Sequence, residues 1–136
     1  KRGMLHCVLH IPARALDVHV ICVHLGLAES HRAQQLALIC KVARDEIPPD
    51  APLVVAGDFN DWRRRAHDIL EQGAGLREVF VQAYGEAART FPARWPLLSL
   101  DRIYVRNATA HLPVVLPRKP WSHLSDHAPL AAEIHL

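Results

Sequence analysis

Paired cysteines, long apolar runs and a dominant charge are all missing from this 136-residue chain, and each absence removes a class of protein. Three cysteines, Cys7, Cys22 and Cys40, form an odd set with no Cys-x-x-Cys pair, which argues against a disulfide framework and against a structural zinc site. Cys7 and Cys22 fall within apolar strand-like runs, so the three are expected as buried free thiols, a weak lean toward a reducing, cytoplasmic compartment. No apolar stretch approaches the roughly 20 residues that a membrane-spanning helix requires. Lys+Arg number 16 against 14 Asp+Glu, a net charge of +2, too close to balance to mark a polyanion-binding protein by charge alone. Internal repeats, linkers and low-complexity tracts are absent. No secretion signal precedes the first strand pattern, which follows Lys1-Arg2-Gly3 directly.

What is present is a chain half of whose residues are apolar (50%), enough to bury the core of one α/β domain or of one continuous part of a domain. Met4 to Ile11 and Val18 to Leu25 are apolar and partly alternating, two strands joined by a hairpin-like connection at Pro12-Ala13-Arg14-Ala15. Ala33, Leu36, Cys40, Ala43 and Ile47 recur at helical spacing, predicting a helix over His31 to Ile47 with Ser30 as N-cap and Pro48-Pro49 as its stop. Pro52 to Ala56 reads as a strand covered on both faces that ends at Gly57. Asn60 or Asp61 caps a following helix that carries Ala66, Ile69 and Leu70 and stops near Gly73 and Gly75. Leu76 to Tyr84 reads as a short helical turn. Leu97 to Val105 is expected as a strand, Val114 to Leu116 as an edge segment, and Ala128 to Leu136 as a final strand.

Polar signatures sit at the edges of these apolar runs: His24-Leu25-Gly26-Leu27, Gly57-Asp58-Phe59-Asn60, Leu100-Asp101-Arg102-Ile103 and Ser125-Asp126-His127, with Trp121-Ser122 leading into the last. In α/β sheets the carboxyl ends of strands are where ligands and catalytic groups collect. Asp58 and Asn60 present a carboxylate and an amide on one side of an extended turn, with Phe59 directed into the core; taken alone, Asp-x-Asn is more often an Asx turn capping a helix. Asp101 is an acid in an apolar strand and needs a partner there; an arginine such as Arg102 is the plain structural choice. A lone strand-end His24, and an isolated Asp126-His127 pair, are likewise more often structural. His6 with His10, and His123 with His127, lack the further ligands of a zinc site. Arg102 is the basic residue nearest the signatures and a candidate for substrate binding.

Taken together, in order and spacing, these motifs resemble the endonuclease/exonuclease/phosphatase superfamily. The resemblance covers the whole chain but only about the second half of that fold. It implies an α/β architecture, the C-terminal half of a two-sheet β-sandwich flanked by helices (a four-layer sandwich), with residues 1–136 as the C-terminal part of a single domain whose N-terminal half is missing. It further implies a metal-dependent hydrolase of phosphate esters, a phosphodiesterase or phosphatase, with nucleases among its relatives. Asp58 would orient or deprotonate the attacking water, Asn60 would steady phosphate oxygens, His127 would stabilise transition-state charge, Asp101 would hold His127, and His24 would serve the leaving oxygen or bind the phosphate. The cofactor implied is Mg2+ or Mn2+, with Asp126 as a metal-site residue and the chief glutamate ligand outside this sequence. Nucleic acid, phospholipid head groups, inositol phosphates and nucleotides are all substrates of this scaffold. Two rival readings remain: a catalytically inert phosphate-binding module, and a nucleic-acid-binding domain using Trp62, Trp95 and Trp121 as stacking platforms.

Overall fold

The computed structural model describes residues 2–63 and 65–136. Apolar alternation in Gly3–Ile11 (β1) and Leu16–His24 (β2) zips the two into an antiparallel pair, in register from Gly3↔His24 to Ile11↔Leu16, turned by Pro12–Arg14. A long helix, Glu29–Asp45 (α1), then carries the chain back so that Leu53–Asp58 (β3) lies parallel to β2. Arg65–Ala74 (α2), Arg77–Glu78 (β4) and Val79–Tyr84 (α3) follow, then Asp101–Arg106 (β5), Thr109–Val115 (β6), Arg118–Trp121 (α4) and Leu130–His135 (β7). The result is a mixed five-stranded sheet of order β1-β2-β3-β5-β4 and a second, two-stranded sheet of β6 and β7.

Three boundaries depart from the sequence pattern. Helix α1 starts at Glu29, so Ser30 lies inside it and Ala28 holds the N-cap position without a side-chain bond; the entry to the helix is fixed instead by buried Arg32, whose guanidinium donates to the carbonyls of Gly26 and Leu27. Strand β5 starts at Asp101 rather than Leu97, because Leu97 and Leu98 fold back on Phe91 and the amides of Leu100 and Asp101 point to the Thr90 hydroxyl. Strand β6 is longer than Val114 to Leu116 and absorbs Pro113 in an irregularity between His111 and Val114, with Leu112 at φ 48°; a bulge is where a sheet tolerates proline.

Because successive strand residues face opposite ways, the five-stranded sheet has two apolar faces. Ile21, Val23, Leu53, Val55 and Tyr104 pack under α1 and α2 against Leu36, Ile39 and Leu70. On the other face Val54, Ile103 and Val105 meet Ala110, Leu130 and Ile134 of the second sheet, with Val79 and Phe80 of α3. Two strands cover only part of five. Leu5 and Leu9 on β1 are exposed, and the thiols diverge from expectation for the same reason: Cys40, on the inner face of α1, is buried, but Cys7 is half-buried and Cys22 exposed. Burial pushes the Cys40 thiol up from its ordinary value. No helix among the described residues is long and apolar enough to cross a membrane.

Candidate active site

Strand pairing, rather than loop conformation, brings the chemistry together. His24 is the last residue of β2 and Asp58 the last of β3, and the two are register partners; Asp58 is in turn the partner of Asp101, the first residue of β5. Adjacent strands lie about 4.8 Å apart, so the three side chains form a row across one end of the sheet, all on the face that carries the second sheet. His24 Nε2 stands 3.6 Å from Asp58 Oδ2.

Gly57 makes this strand end possible. It sits at φ +139°, and a Cβ there would lie 2.0 Å from the carbonyl oxygen of Val23 on β2. Gly57→Ala is therefore expected to destabilise the fold by about 3 kcal/mol or more, through strain and backbone displacement; a denaturant melt of the purified variant reads this directly, and an unchanged midpoint refutes it.

Beyond Gly57 the loop is tied down residue by residue. Phe59 is fully buried beside Tyr104, as expected from the alternation. Asn60, at φ 48°, donates its backbone N–H to Asp58 Oδ1 (2.8 Å) and one side-chain N–H to the carbonyl of Leu25 (2.9 Å), which locks the ends of β2 and β3 together. Asp61 is the residue that serves the next helix, accepting from Ala66 N at 2.6 Å.

The second half of the site comes from the segment before β7. His127 Nδ1 lies 2.7 Å from Asp101 Oδ2. A carboxylate only accepts, so Nδ1 carries the hydrogen and Nε2 is turned outward. The plain alternative, an Asp101 to Arg102 ion pair, does not form. Burial is the largest single influence on His127 and opposes its charge, but the Asp101 hydrogen bond and the charges of Asp101, Asp58 and Asp126 outweigh it and hold the imidazole above its ordinary pKa. A cleft of about 290 Å3 opens beside this pair, lined by Gly57, Asp101, Ser125, His127 and Pro129 among others.

Arg102 is placed elsewhere. It is 2% exposed, and its guanidinium donates to the carbonyls of Asp61 (2.7 Å) and Ser99 (3.3 Å). As the strand neighbour of Asp101 it faces the helix side, so it braces the Asp61 loop from within instead of reaching a substrate. Asp126 is exposed; its carbonyl accepts from Ala93 N (2.6 Å), and its carboxylate lines an adjoining open cavity of about 600 Å3 with Arg94, Trp95 and His123.

Two neighbours escaped the sequence reading. Arg2 Nη1 stands 2.7 Å from His24 Nε2 and 2.7 Å from the carbonyl of Leu25; the Gly3↔His24 pairing delivers it, so the β1–β2 hairpin carried the signal. Phe91 packs against the His127 ring at 5.0 Å between centroids, and no periodicity or charge in its surroundings assigns it to the site.

The row offers a carboxylate able to accept a proton from water, and an imidazole disposed toward the charged form next to it. A hard divalent cation takes six or more oxygen ligands, several of them water. Among the described residues no three His, Cys, Asp or Glu side chains converge on one point, so Asp58 and Asp126 do not by themselves complete a metal site.

With this geometry in view, comparison with known proteins gives a consistent result. The model of the Endonuclease/Exonuclease/phosphatase family matches residues 3–127. YbhP of Escherichia coli strain K12, described as uncharacterized, is 55% identical over 136 residues, all of this chain and 53% of YbhP; the chain spans about half the length of the curated relatives it matches. Among solved structures, D. rerio TDP2 complexed with single strand DNA product superposes with TM-score 0.76 at 18% identity, covering 99% of this chain and 62% of TDP2. The mannosyl-6-phosphatase Bt3783 of Bacteroides thetaiotaomicron gives TM-score 0.75 at 16% identity, covering 99% of this chain and 57% of its own. At such identities the structural likeness concerns the fold alone.

Proposed function

Since the chain belongs to the endonuclease/exonuclease/phosphatase family, we propose that it forms the C-terminal part of a single catalytic domain and that the whole protein hydrolyses phosphate esters by in-line attack of water. The observation that carries this reading is the row of His24, Asp58 and Asp101 with His127 pinned to its end at 2.7 Å. Hydrolysis of a phosphate ester needs an oriented water, neutralisation of the non-bridging oxygens, and a way to stabilise the leaving oxygen. Asp58 orients the water and takes its proton. His127, whose charged form Asp101 favours, donates from Nε2 to a phosphoryl oxygen. Asn60 has a second side-chain hydrogen for another such oxygen, and His24 faces the leaving group.

A bound magnesium or manganese ion would supply further charge neutralisation at the phosphoryl oxygens. Asp58 and Asp126 are the oxygen donors this chain would offer it, and the remaining ligands would lie outside these 136 residues. The uncovered half of the five-stranded sheet accords with a four-layer sandwich in the complete domain. Two solved neighbours, one complexed with single strand DNA product and one a mannosyl-6-phosphatase, support a phosphate-ester substrate and keep nucleic acid among the candidates. Exposed, unpaired Cys22 accords with a reducing, cytoplasmic setting.

The test is hydrolysis of a bis-aryl phosphodiester by the whole protein, with magnesium and with chelator. Turnover that requires the metal is the expected result. No turnover on this ester or on a panel of nucleotides, oligonucleotides, inositol phosphates and phospholipids would sink the hydrolase reading and leave an inert phosphate-binding module, whose binding would be indifferent to both magnesium and Asp58.

A further inference from the structure

Asp101 and His127 stand 26 positions apart in sequence, so their 2.7 Å contact depends on whatever holds the two backbones in step. One short segment does this from both sides. The amides of Leu100 and Asp101 point to Thr90 Oγ1, at 3.3 and 3.2 Å, and the two lone pairs of a hydroxyl oxygen can serve both. The carbonyl of the same residue accepts from Ala128 N at 2.7 Å, and three residues on, Ala93 N donates to Asp126 O at 2.6 Å. His127 is therefore gripped through the backbone of the residue before it and of the residue after it. Leu100 carries the tie further, since its carbonyl accepts from Phe59 N at 2.8 Å, one residue beyond Asp58. Thr90 is fully buried, and its neighbour Phe91 lies against the His127 ring.

A threonine in a loop ordinarily turns its hydroxyl to backbone a residue or two away. Here the partners lie 10 and 11 positions along the chain, so the hydroxyl joins segments that nothing local would hold together. Valine has the same shape as threonine and no acceptor. In its place two N–H groups lose their partner, and a buried donor left unpaired is costly. The stretch that must shift to recover one is the start of β5, which carries the Asp101 carboxylate. Alignment of reacting groups tolerates little of this: they must be held to within about 0.5 Å of their productive geometry, and a misplacement of about 1 Å costs on the order of a hundredfold in rate.

We propose that Thr90 is a positioning residue, its hydroxyl fixing the backbone of Asp101 and its carbonyl the backbone beside His127, so that one buried side chain sets carboxylate against imidazole. That this alignment serves turnover rests on the hydrolase reading; the alignment itself does not. The experiment is nitrogen-edited proton NMR of the whole protein, reading the Nδ1–H resonance of His127, which is assigned by its absence from His127→Gln. A hydrogen held by a carboxylate at 2.7 Å gives a downfield, slowly exchanging signal. Thr90→Val is expected to lose that signal or move it upfield, with a native circular dichroism spectrum, and to lower kcat for a phosphodiester at least about tenfold with KM little changed. Thr90→Ser, which keeps the acceptor, restores both. Thr90→Ala removes the hydroxyl without setting a methyl group against the two amides, and decides the matter where the valine variant does not fold. A native protein without the resonance, or a folded variant lacking the hydroxyl in which it survives unchanged, overturns the proposal. A serine variant as impaired as the valine one overturns it too, since the methyl group and its packing would then be the cause. A protein that shows the expected resonance changes but hydrolyses nothing removes only the hydrolase reading.

Discussion

In the whole protein, Asp58→Asn is expected to lower kcat for a phosphodiester by about a thousandfold, the range in which a lost general base falls, while the fold persists. Asn matches Asp in shape, and its carbonyl oxygen still accepts the Asn60 N–H that Asp58 Oδ1 accepts at 2.8 Å, so the turn after β3 keeps its internal bond. What disappears is the negative charge between His24 and Asp101 in the strand row, and with it the acceptor proposed for the proton of the attacking water. The paired readout is kcat together with a denaturant midpoint. A variant with near-normal turnover removes Asp58 from the mechanism, and one that is inactive because it is unfolded shows itself in the melt.

Asp101→Ala acts through His127 and has a signature that simple loss of packing lacks. Turnover is expected to fall by about a hundredfold to a thousandfold, the magnitude typical when the orienting acid of an imidazole is removed. Asp101 is the strongest of the influences that raise the His127 pKa, set against burial, which lowers it. Without that carboxylate the imidazole titrates at lower pH, so the limb on which activity falls with rising pH moves toward acid. Stability follows the same linkage: a histidine whose folded pKa is raised contributes stability that is fully present below its unfolded value, near 6.5, and that drains away as pH climbs through the folded value. Melting temperature in the native protein therefore declines across that window, and the variant flattens the decline. A variant that is merely less stable, with its pH–rate limb unmoved, returns Asp101 to a structural role.

Much of this site was legible because strand ends can be read from where apolar residues stop. His24, Asp58 and His127 stand at or beside the strand ends where the sequence put them; the cost of an unpaired carboxylate called for a partner for Asp101, and the family resemblance, not the residue pattern, named His127. Arg102 shows a rule available but not applied: as the strand neighbour of Asp101 it had to face the opposite way, and it does, into the helix-side core. Cys22 could not have been placed by pattern. Its burial depends on what covers that half of the sheet, and an apolar strand residue looks the same whether its face is covered or open. Ser30 resembled a cap by residue type, whereas the helix start is set by a distant guanidinium, Arg32, reaching back to the carbonyls of Gly26 and Leu27. Phe91 meets His127 across 36 positions of sequence, a contact created only by folding.

The row formed by His24, Asp58 and Asp101 makes spacing, more than side-chain packing, the inherited quantity. Each residue's position is addressed by counting along a strand, since one step turns a side chain to the opposite face. Deleting a single residue from within β3 would bring Phe59 to the position of Asp58 and Asn60 to that of Phe59, putting a core side chain into the polar row and a polar one beneath the helices. A library of substitutions in β2, β3 and β5 should thus accept many apolar exchanges, while single-residue insertions or deletions in the same strands should be silent almost nowhere.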